Sequence, residues 1–266
     1  METPISNFHT HTYRCGHAEG DISDYVEQAQ MEGCSALGFS DHVPLPLDSI
    51  DNWQEIRMES EESFYYMSKI SESKRKATFP VYSGFECEWS KRYENWYRDF
   101  ILGEVNVDYL VFGPHWTEYD GEFIYAPQIS NLRQLHSYID TTIEGMQSGL
   151  FAFIAHPDII MSAYDEWDTE ISACLNEIID CAISMDLPME INGQGMLRPT
   201  RKTSNGVRYQ YPFKEFWLLA QEKGAKIICN SDAHKPVHVL KQAREARKLA
   251  QSWGIEIYEL EGFTKK

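Results

Sequence analysis

Basic residues are scarce in this chain: 24 lysines and arginines stand against 41 aspartates and glutamates, for a net charge of −17. A surface of that sign repels phosphodiester backbones, so a general nucleic-acid binder is excluded. Much of the acid lies in stretches such as MESEESFYYMSKISESKRK, which read as solvated helix faces. Long apolar runs are missing as well. None approaches the roughly 20 apolar residues that span a bilayer, and no membrane partner is expected. The first residues, METPISNFHTHTYRCGH, carry neither the basic nor the apolar region of a secretory signal, so the expected location is cytoplasmic. Cys15, Cys34, Cys87, Cys174, Cys181 and Cys229 show no C-x-x-C spacing. A structural zinc knuckle is therefore unsupported, and buried free thiols in a reducing compartment are expected. Cys15, between two histidine motifs, is the one cysteine that could lie near a metal. Repeats, low-complexity tracts and Pro/Ser-rich linkers are absent, and the expectation is a single domain over residues 1–266. No coiled-coil heptad or long apolar stripe indicates an oligomeric state.

What is present is a recurring unit: a short apolar run, a polar stretch, then helical periodicity. The spacing predicts strands over 5–9, 36–41, 81–86, 109–115, 151–156, 187–191 and 226–232. It predicts helices near 21–32, 53–76, 95–102, 131–148, 169–185 and 212–223, with a last one near 237–253. Seven β-then-α units imply parallel strands with helical crossovers, and an α/β fold. The long connections 43–53 and 116–130 carry either function or simple surface insertion.

The histidines decide between an open sheet and a closed one. His9, His42, His115, His156 and His234 end or follow apolar strands. His11 lies two residues beyond His9 and Asp232 two before His234, spacings that put both side chains of each pair on one face of an extended segment. Glu86 ends the third strand. One such histidine would be an ordinary buried imidazole. The whole set converges only if the strands close, because a parallel barrel brings all strand C-termini to one face. A distorted seven-stranded TIM-like (β/α)7 barrel is the expected fold. Roughly nine nitrogen and oxygen ligands exceed the three or four of one catalytic zinc, so two or three ions are implied.

The motifs FHTHT at 8–12, SDH at 40–42, GFE at 84–86, FGPH at 112–115, AHPD at 155–158 and NSDAH at 230–234 resemble, in order, those of the polymerase and histidinol phosphatase (PHP) family. That resemblance spans almost the whole chain and implies three divalent ions (zinc, iron or manganese). Carried over by position, it assigns His9, His11, Glu86 and Asp232 to one ion. Glu86 would bridge to a second ion with His115 and His156, and His17, His42 and His234 would hold the third. His136 and His238 match nothing and read as surface residues.

Such a centre makes hydroxide available at neutral pH and suits phosphoester hydrolysis, with Asp232, Glu86 and His234 in the catalytic set. Asp41, beside a ligand, would orient it or protonate the leaving group. Arg198, after the sixth strand, is either a bidentate phosphate clamp or a surface salt bridge. Asn192 and Gln194 would touch substrate or shape a turn, and Arg201 and Lys202 read as solvated loop residues. A small phosphorylated substrate is the expected partner. With its length and long insertions, the chain most resembles family members that hydrolyse L-histidinol phosphate in histidine biosynthesis. The rivals are a family member acting on a nucleotide or sugar phosphate, a metal-dependent amide or lactone hydrolase, and a non-catalytic metal-storage or regulatory protein. The second is weakened because no strand-end lysine is obvious.

Overall fold

A computed structural model describes residues 4–47, 49, 53–204 and 206–263. Seven of its apolar runs are strands: β1 (Ile5–Asn7), β2 (Cys34–Phe39), β3 (Val81–Cys87), β4 (Tyr109–Phe112), β5 (Phe153–Ile154), β6 (Met189–Asn192) and β7 (Ile227–Asn230). They form one sheet in chain order, and every neighbouring pair is parallel. The fold is thus the expected seven-stranded TIM-like barrel. Its seam closes past the strand ends, where Thr10 bridges Ala233 and His11 N donates to Ala233 O at 2.9 Å. Nearer the strands, two asparagine side chains replace ladder bonds. Asn230 Oδ1 accepts from Phe8 N at 2.8 Å, and Asn7 Oδ1 accepts from Ser231 N at 2.7 Å.

The helices are α1 (Ile22–Met31), α2 (Glu62–Lys76), α3 (Leu132–Gln147), α4 (Thr169–Ser184), α5 (Lys214–Glu222) and α6 (Lys241–Ser252). Their starts are written in the sequence. Asp21 and Asp24 form a reciprocal capping pair on α1, and Asn131 and Asp168 cap α3 and α4. In α3 the buried Leu135, Tyr138, Ile139, Thr142 and Met146 recur at three- and four-residue spacing. That stripe belongs to the large core between strands and helices. A smaller core fills the barrel itself: Phe8, Ala36, Tyr109, Val111, Phe153, Ala155 and Ile228. The Tyr109 hydroxyl donates to Phe8 O at 2.7 Å, and its ring stacks on Phe263 at 4.0 Å. The end of the barrel away from the histidines is therefore packed with side chains.

Several boundaries differ from the expectation. The helix expected over 53–76 splits into a 3₁₀ turn, Gln54–Ile56, and α2. Arg57, between them, is extended and buried, and its Nη2 donates to Glu88 at 2.7 Å. The helix near 95–102 is a π-helical segment, Trp96–Val105. The strand over 151–156 is paired only at Phe153–Ile154. The connection 116–130 contains a hairpin, Trp116–Tyr119 with Glu122–Tyr125, turned by Asp120 and Gly121, both at positive φ. An Asp-Gly pair between apolar runs is a strong hairpin signal. A second hairpin joins Arg201–Thr203 to Gly206–Arg208. There Arg201 pairs with the exposed Asp165 at 2.6 Å. Part of the connection 43–53 lies outside the described residues.

Candidate metal centre

Eight of the nine candidate ligands sit where a strand runs out, and His17 lies in the loop after the first strand. His9 and His11 follow β1, His42 follows β2, Glu86 ends β3, His115 follows β4, His156 follows β5, and Asp232 and His234 follow β7. The backbone is bent to present two of them. His156 and Asp232 hold φ of 30° and 50°, in the left-handed region that a side chain disfavours. Such residues cost roughly 1–3 kcal/mol each and persist where their surroundings enforce them, commonly at functional sites. Gly113 is required for a different reason: a Cβ there would lie 2.6 Å from Glu86 Oε1 and 2.7 Å from His115 Cε1.

Four groups meet at the centre. His9 Nε2 lies 3.1 Å from His11 Nε2, 3.5 Å from Glu86 Oε1 and 3.5 Å from Asp232 Oδ1. His11 Nε2 lies 3.4 Å from Glu86 Oε2 and 3.2 Å from Asp232 Oδ1. Ligands about 2.0–2.1 Å from a tetrahedral ion stand about 3.3 Å apart, and these separations are of that size. The donor set therefore fits a divalent cation. The His9 Nδ1–H donates to Glu190 Oε2 at 2.8 Å, which leaves the Nε2 lone pair aimed at His11. Two imidazole nitrogens face to face repel unless a proton or a metal lies between them.

Around this group, Glu86 Oε1 lies 3.4 Å from His115 Nε2 and 3.1 Å from His156 Nε2. Those three residues form a second set of donors close enough to share one ion. At the outer edge His17 Nε2 and His234 Nε2 are 2.9 Å apart. His42 turns its Nδ1 to Glu86 Oε2 at 3.3 Å, while its ring lies 5.6 Å from that of His17. Cys15 is free and buried, and with His11 and His234 forms another set within ligand distance of one another. The structure thus brings together all nine expected ligands. His136 is exposed and pairs with Glu170 at 2.7 Å, and His238 lies outside the cluster's contacts.

The electrostatics of the cluster express a demand for positive charge. Burial opposes ionisation of Glu86 and Asp232, yet the surrounding imidazoles outweigh it and hold both carboxyls well below the usual range. Burial also opposes charge on His9, but Glu190, Asp232 and Glu86 raise it well above the ordinary histidine value. His11 is raised likewise, against burial, by Asp232, Cys15 and Glu86. Burial dominates at the two histidines with less carboxylate around them: His42 falls well below the ordinary value and His234 falls to about 3. Burial pushes the Cys15 thiol up, but His11 and His17 outweigh it and bring it to about 7. Divalent cations satisfy the same demand that draws protons onto His9 and His11.

Asp41 and Asn192 take the supporting one of the two roles expected of each. Asp41 is fully buried and accepts from Thr12 N at 2.7 Å and Thr12 Oγ1 at 2.9 Å, so it anchors the loop that carries His11 and His17. Asn192 is fully buried, donates to Glu190 at 2.9 Å and Asp232 at 3.1 Å, and accepts from Gly195 N. Both hold ligands in place and neither lines the cavity. Sequence reasoning missed Glu190 and Glu88, whose Oε1 accepts from His115 Nδ1 at 2.8 Å. The signal was available, because Glu88 and Glu190 stand two residues from Glu86 and Asn192, the same-face spacing that linked the histidines.

The cluster floors a cavity of about 300 Å³. Arg198 and Gln194 line it after β6, as do Tyr211, Tyr125 of the hairpin, and Trp53, Glu55 and Ile56 of the 3₁₀ turn. Both long connections thus supply wall. Arg198 Nε donates to the Tyr211 hydroxyl at 2.9 Å, with its guanidinium 5.7 Å from the ring centre. Among the described residues, no helix is long and apolar enough to cross a membrane.

Comparison with known proteins places this geometry. Residues 7–194 match the PHP domain family. The chain is similar to a Deinococcus radiodurans protein named "Probable histidinol-phosphatase", 27% identical over 244 residues and covering 89% of each chain. It is similar to a Schizosaccharomyces pombe protein of the same name, 24% identical over 278 residues, covering 95% of this chain and 87% of that one. Among solved structures it resembles histidinol phosphate phosphatase from Lactococcus lactis subsp. lactis complexed with zinc, L-histidinol and phosphate. That likeness has a TM-score of 0.71 at 16% identity over 98% of this chain and 99% of the other, and concerns the fold.

Proposed function

The chain belongs to the PHP domain family, and from that membership we propose that it is a histidinol-phosphatase, hydrolysing L-histidinol phosphate to L-histidinol and orthophosphate in histidine biosynthesis. The observation that carries a phosphoesterase is the approach of His9, His11, Glu86 and Asp232 to ligand-ligand separations at the floor of a cavity with Arg198 in its wall. The relatives' names support the substrate.

In this reading His9, His11, Glu86 and Asp232 hold one divalent ion, Glu86, His115 and His156 a second, and His17, His42 and His234 a third. Zinc, iron and manganese all suit these ligands. Bound ions would supply Lewis-acid polarisation of the phosphoryl group and hydroxide near neutral pH. The chain does the rest. Glu190 and Glu88 keep a proton on Nδ1 of His9 and His115, so each ring offers Nε2 inward. Asn192 steadies Asp232 from behind, and Asp41 holds the loop of His11 and His17 through Thr12. Arg198 pairs with the phosphoryl oxygens as a planar, permanently charged donor. Hydrolysis consumes one water and transfers one proton to the departing alcohol oxygen. Six buried cysteines without a disulfide suit a cytoplasmic enzyme, and the charge of −17 suits one without a nucleic-acid partner.

Steady-state kinetics on L-histidinol phosphate and a panel of phosphorylated metabolites, with metal content measured on the same sample, tests the proposal. Turnover of L-histidinol phosphate well above the panel is expected. Robust hydrolysis of nucleoside or sugar phosphates with none of L-histidinol phosphate would overturn the substrate. At most one ion per folded, metal-replete chain would overturn the centre.

A further inference from the structure

The 3₁₀ turn Gln54–Ile56 contributes Glu55 and Ile56 to the cavity wall and none of the candidate metal ligands. Among the described residues, the acidic ones that line the cavity are Glu86, Asp232 and Glu55. The first two face His9 and His11. Among the described residues, no lysine, arginine or histidine forms an ion pair with Glu55, although the chain is rich in surface pairs elsewhere. Among the described residues, the only lysine or arginine in the wall is Arg198. Among the described residues outside the ligand cluster, then, the wall contains one arginine and one glutamate.

The carboxylate's backbone is held firmly. Gly16, at φ 73°, lies so close to the Glu55 carbonyl oxygen that a Cβ would come within 2.3 Å of it, so the turn rests directly on the loop carrying His17. Arg57, just past the turn, is pinned by Val43 O at 3.1 Å and by Glu88, the carboxylate behind His115. On the other side of Glu55, Trp53 packs edge-on against Tyr125 at 5.3 Å and His115 at 6.4 Å. A glutamate in a wall shared with an indole and a phenol ring suits a cation attached to a flat or apolar group.

We propose that Glu55 is a specificity residue that takes a positively charged group on the alcohol half of the ester, with Trp53 and Tyr125 packing the group beside it. The preferred substrates are then phosphate monoesters of amino alcohols, rather than esters of neutral or acidic alcohols. This rests on the phosphatase reading of the same site and adds to it the residue that selects the leaving group.

The test compares wild type with Glu55→Gln, a change of charge at nearly constant shape, in two measurements. The first is kcat/KM for L-histidinol phosphate relative to phenyl phosphate, whose alcohol is uncharged. The expected result is a fall in that ratio of tenfold or more, carried by KM, with metal content equal to wild type. The second is calorimetric binding of L-histidinol alone to the metal-loaded protein, expected to weaken at least tenfold in the variant. A ratio and an L-histidinol affinity both within twofold of wild type would overturn the proposal. So would equal losses on both esters, which would mark Glu55 as part of the scaffold. If the wild type fails to hydrolyse L-histidinol phosphate, the phosphatase reading falls, while the binding arm still decides whether Glu55 recognises the cation.

Discussion

At the scale of single residues, the buried carboxylates behind the imidazoles set how well the centre holds its ions. Glu190 accepts from His9 Nδ1 and from Asn192 Nδ2, and is itself fully buried. Glu190→Gln keeps the size but removes the charge that fixes the ring's tautomer. Metal affinity should fall about 10–100-fold, the usual effect of losing such a partner, measured by competition against a chromogenic chelator. Arg198 should behave differently. Its truncation to alanine removes charge-assisted bonds worth about 1.5–3 kcal/mol, so kcat/KM for a phosphate ester should drop roughly 10–100-fold with metal content unchanged. The two variants separate holding the ions from holding the substrate. Single residues also mark where sequence reading stopped. Asp41 and Asn192 are polar residues beside ligands, and nothing in their positions along the chain says whether they face the cavity or its support. Burial and hydrogen-bond partners decided that.

At the scale of elements, the junction of β3 and β4 shows how a strand is kept in register. Asp108 accepts from Ser83 N and Ser83 Oγ, each at 2.8 Å, and from Lys74 Nζ of α2 at 2.7 Å. Burial raises the Asp108 carboxyl, but Lys74 and Ser83 outweigh that and leave it below its ordinary value of 3.8. A group depressed on folding stabilises the protein above its unfolded pKa and loses that contribution as pH falls through the folded value. Asp108→Asn should therefore cost about 1 kcal/mol at pH 7, after allowing for solvent screening of Lys74. The difference should fade below about pH 4, as urea melts of metal-free wild type and variant at both pH values would show. The strands and most helices were legible because apolar periodicity and caps such as Asp21, Asn131 and Asp168 are local features. The hairpin after β4 was legible too, in Asp120-Gly121, but the turn signal lay in a stretch read as an irregular loop. The break at Arg57 was not, since a buried pairing with Glu88, 31 residues away, imposes it.

At the scale of the whole molecule, closing the sheet turns scattered polar residues into one centre, so ions and fold should be coupled. Ligands that bind only the folded state stabilise it by about 3–4 kcal/mol at 100–1,000 times their dissociation constant. For a chain of this size, stripping the ions with a chelator should lower the melting temperature by roughly 5–15 °C. Acid should act the same way, because imidazoles bind metal only when neutral. Metal content and activity should fall together below about pH 6, and an activity profile flat from about pH 5 to 8 would contradict this. The net charge of −17 also implies that the protein as a whole repels a phosphate ester. In the proposed reading, Arg198 and bound cations would reverse that sign within the cavity.

The sequence by itself determined the parallel α/β barrel and the membership of the ligand cluster. The barrel and most of the cluster follow from patterns repeated along the chain, apolar runs that must pair and imidazoles or carboxylates at their ends, while His17 was assigned only by the family resemblance. Only the tertiary structure decided which donor faces which, because the angles between strands and the left-handed turns at His156 and Asp232 set those distances. It also decided the cavity wall. Trp53, Glu55, Tyr125 and Tyr211 come from connections whose positions depend on packing between distant segments, as where the Glu55 carbonyl meets Gly16. Local sequence records which residues a loop contains, while the surface against which the loop folds determines what those residues can touch.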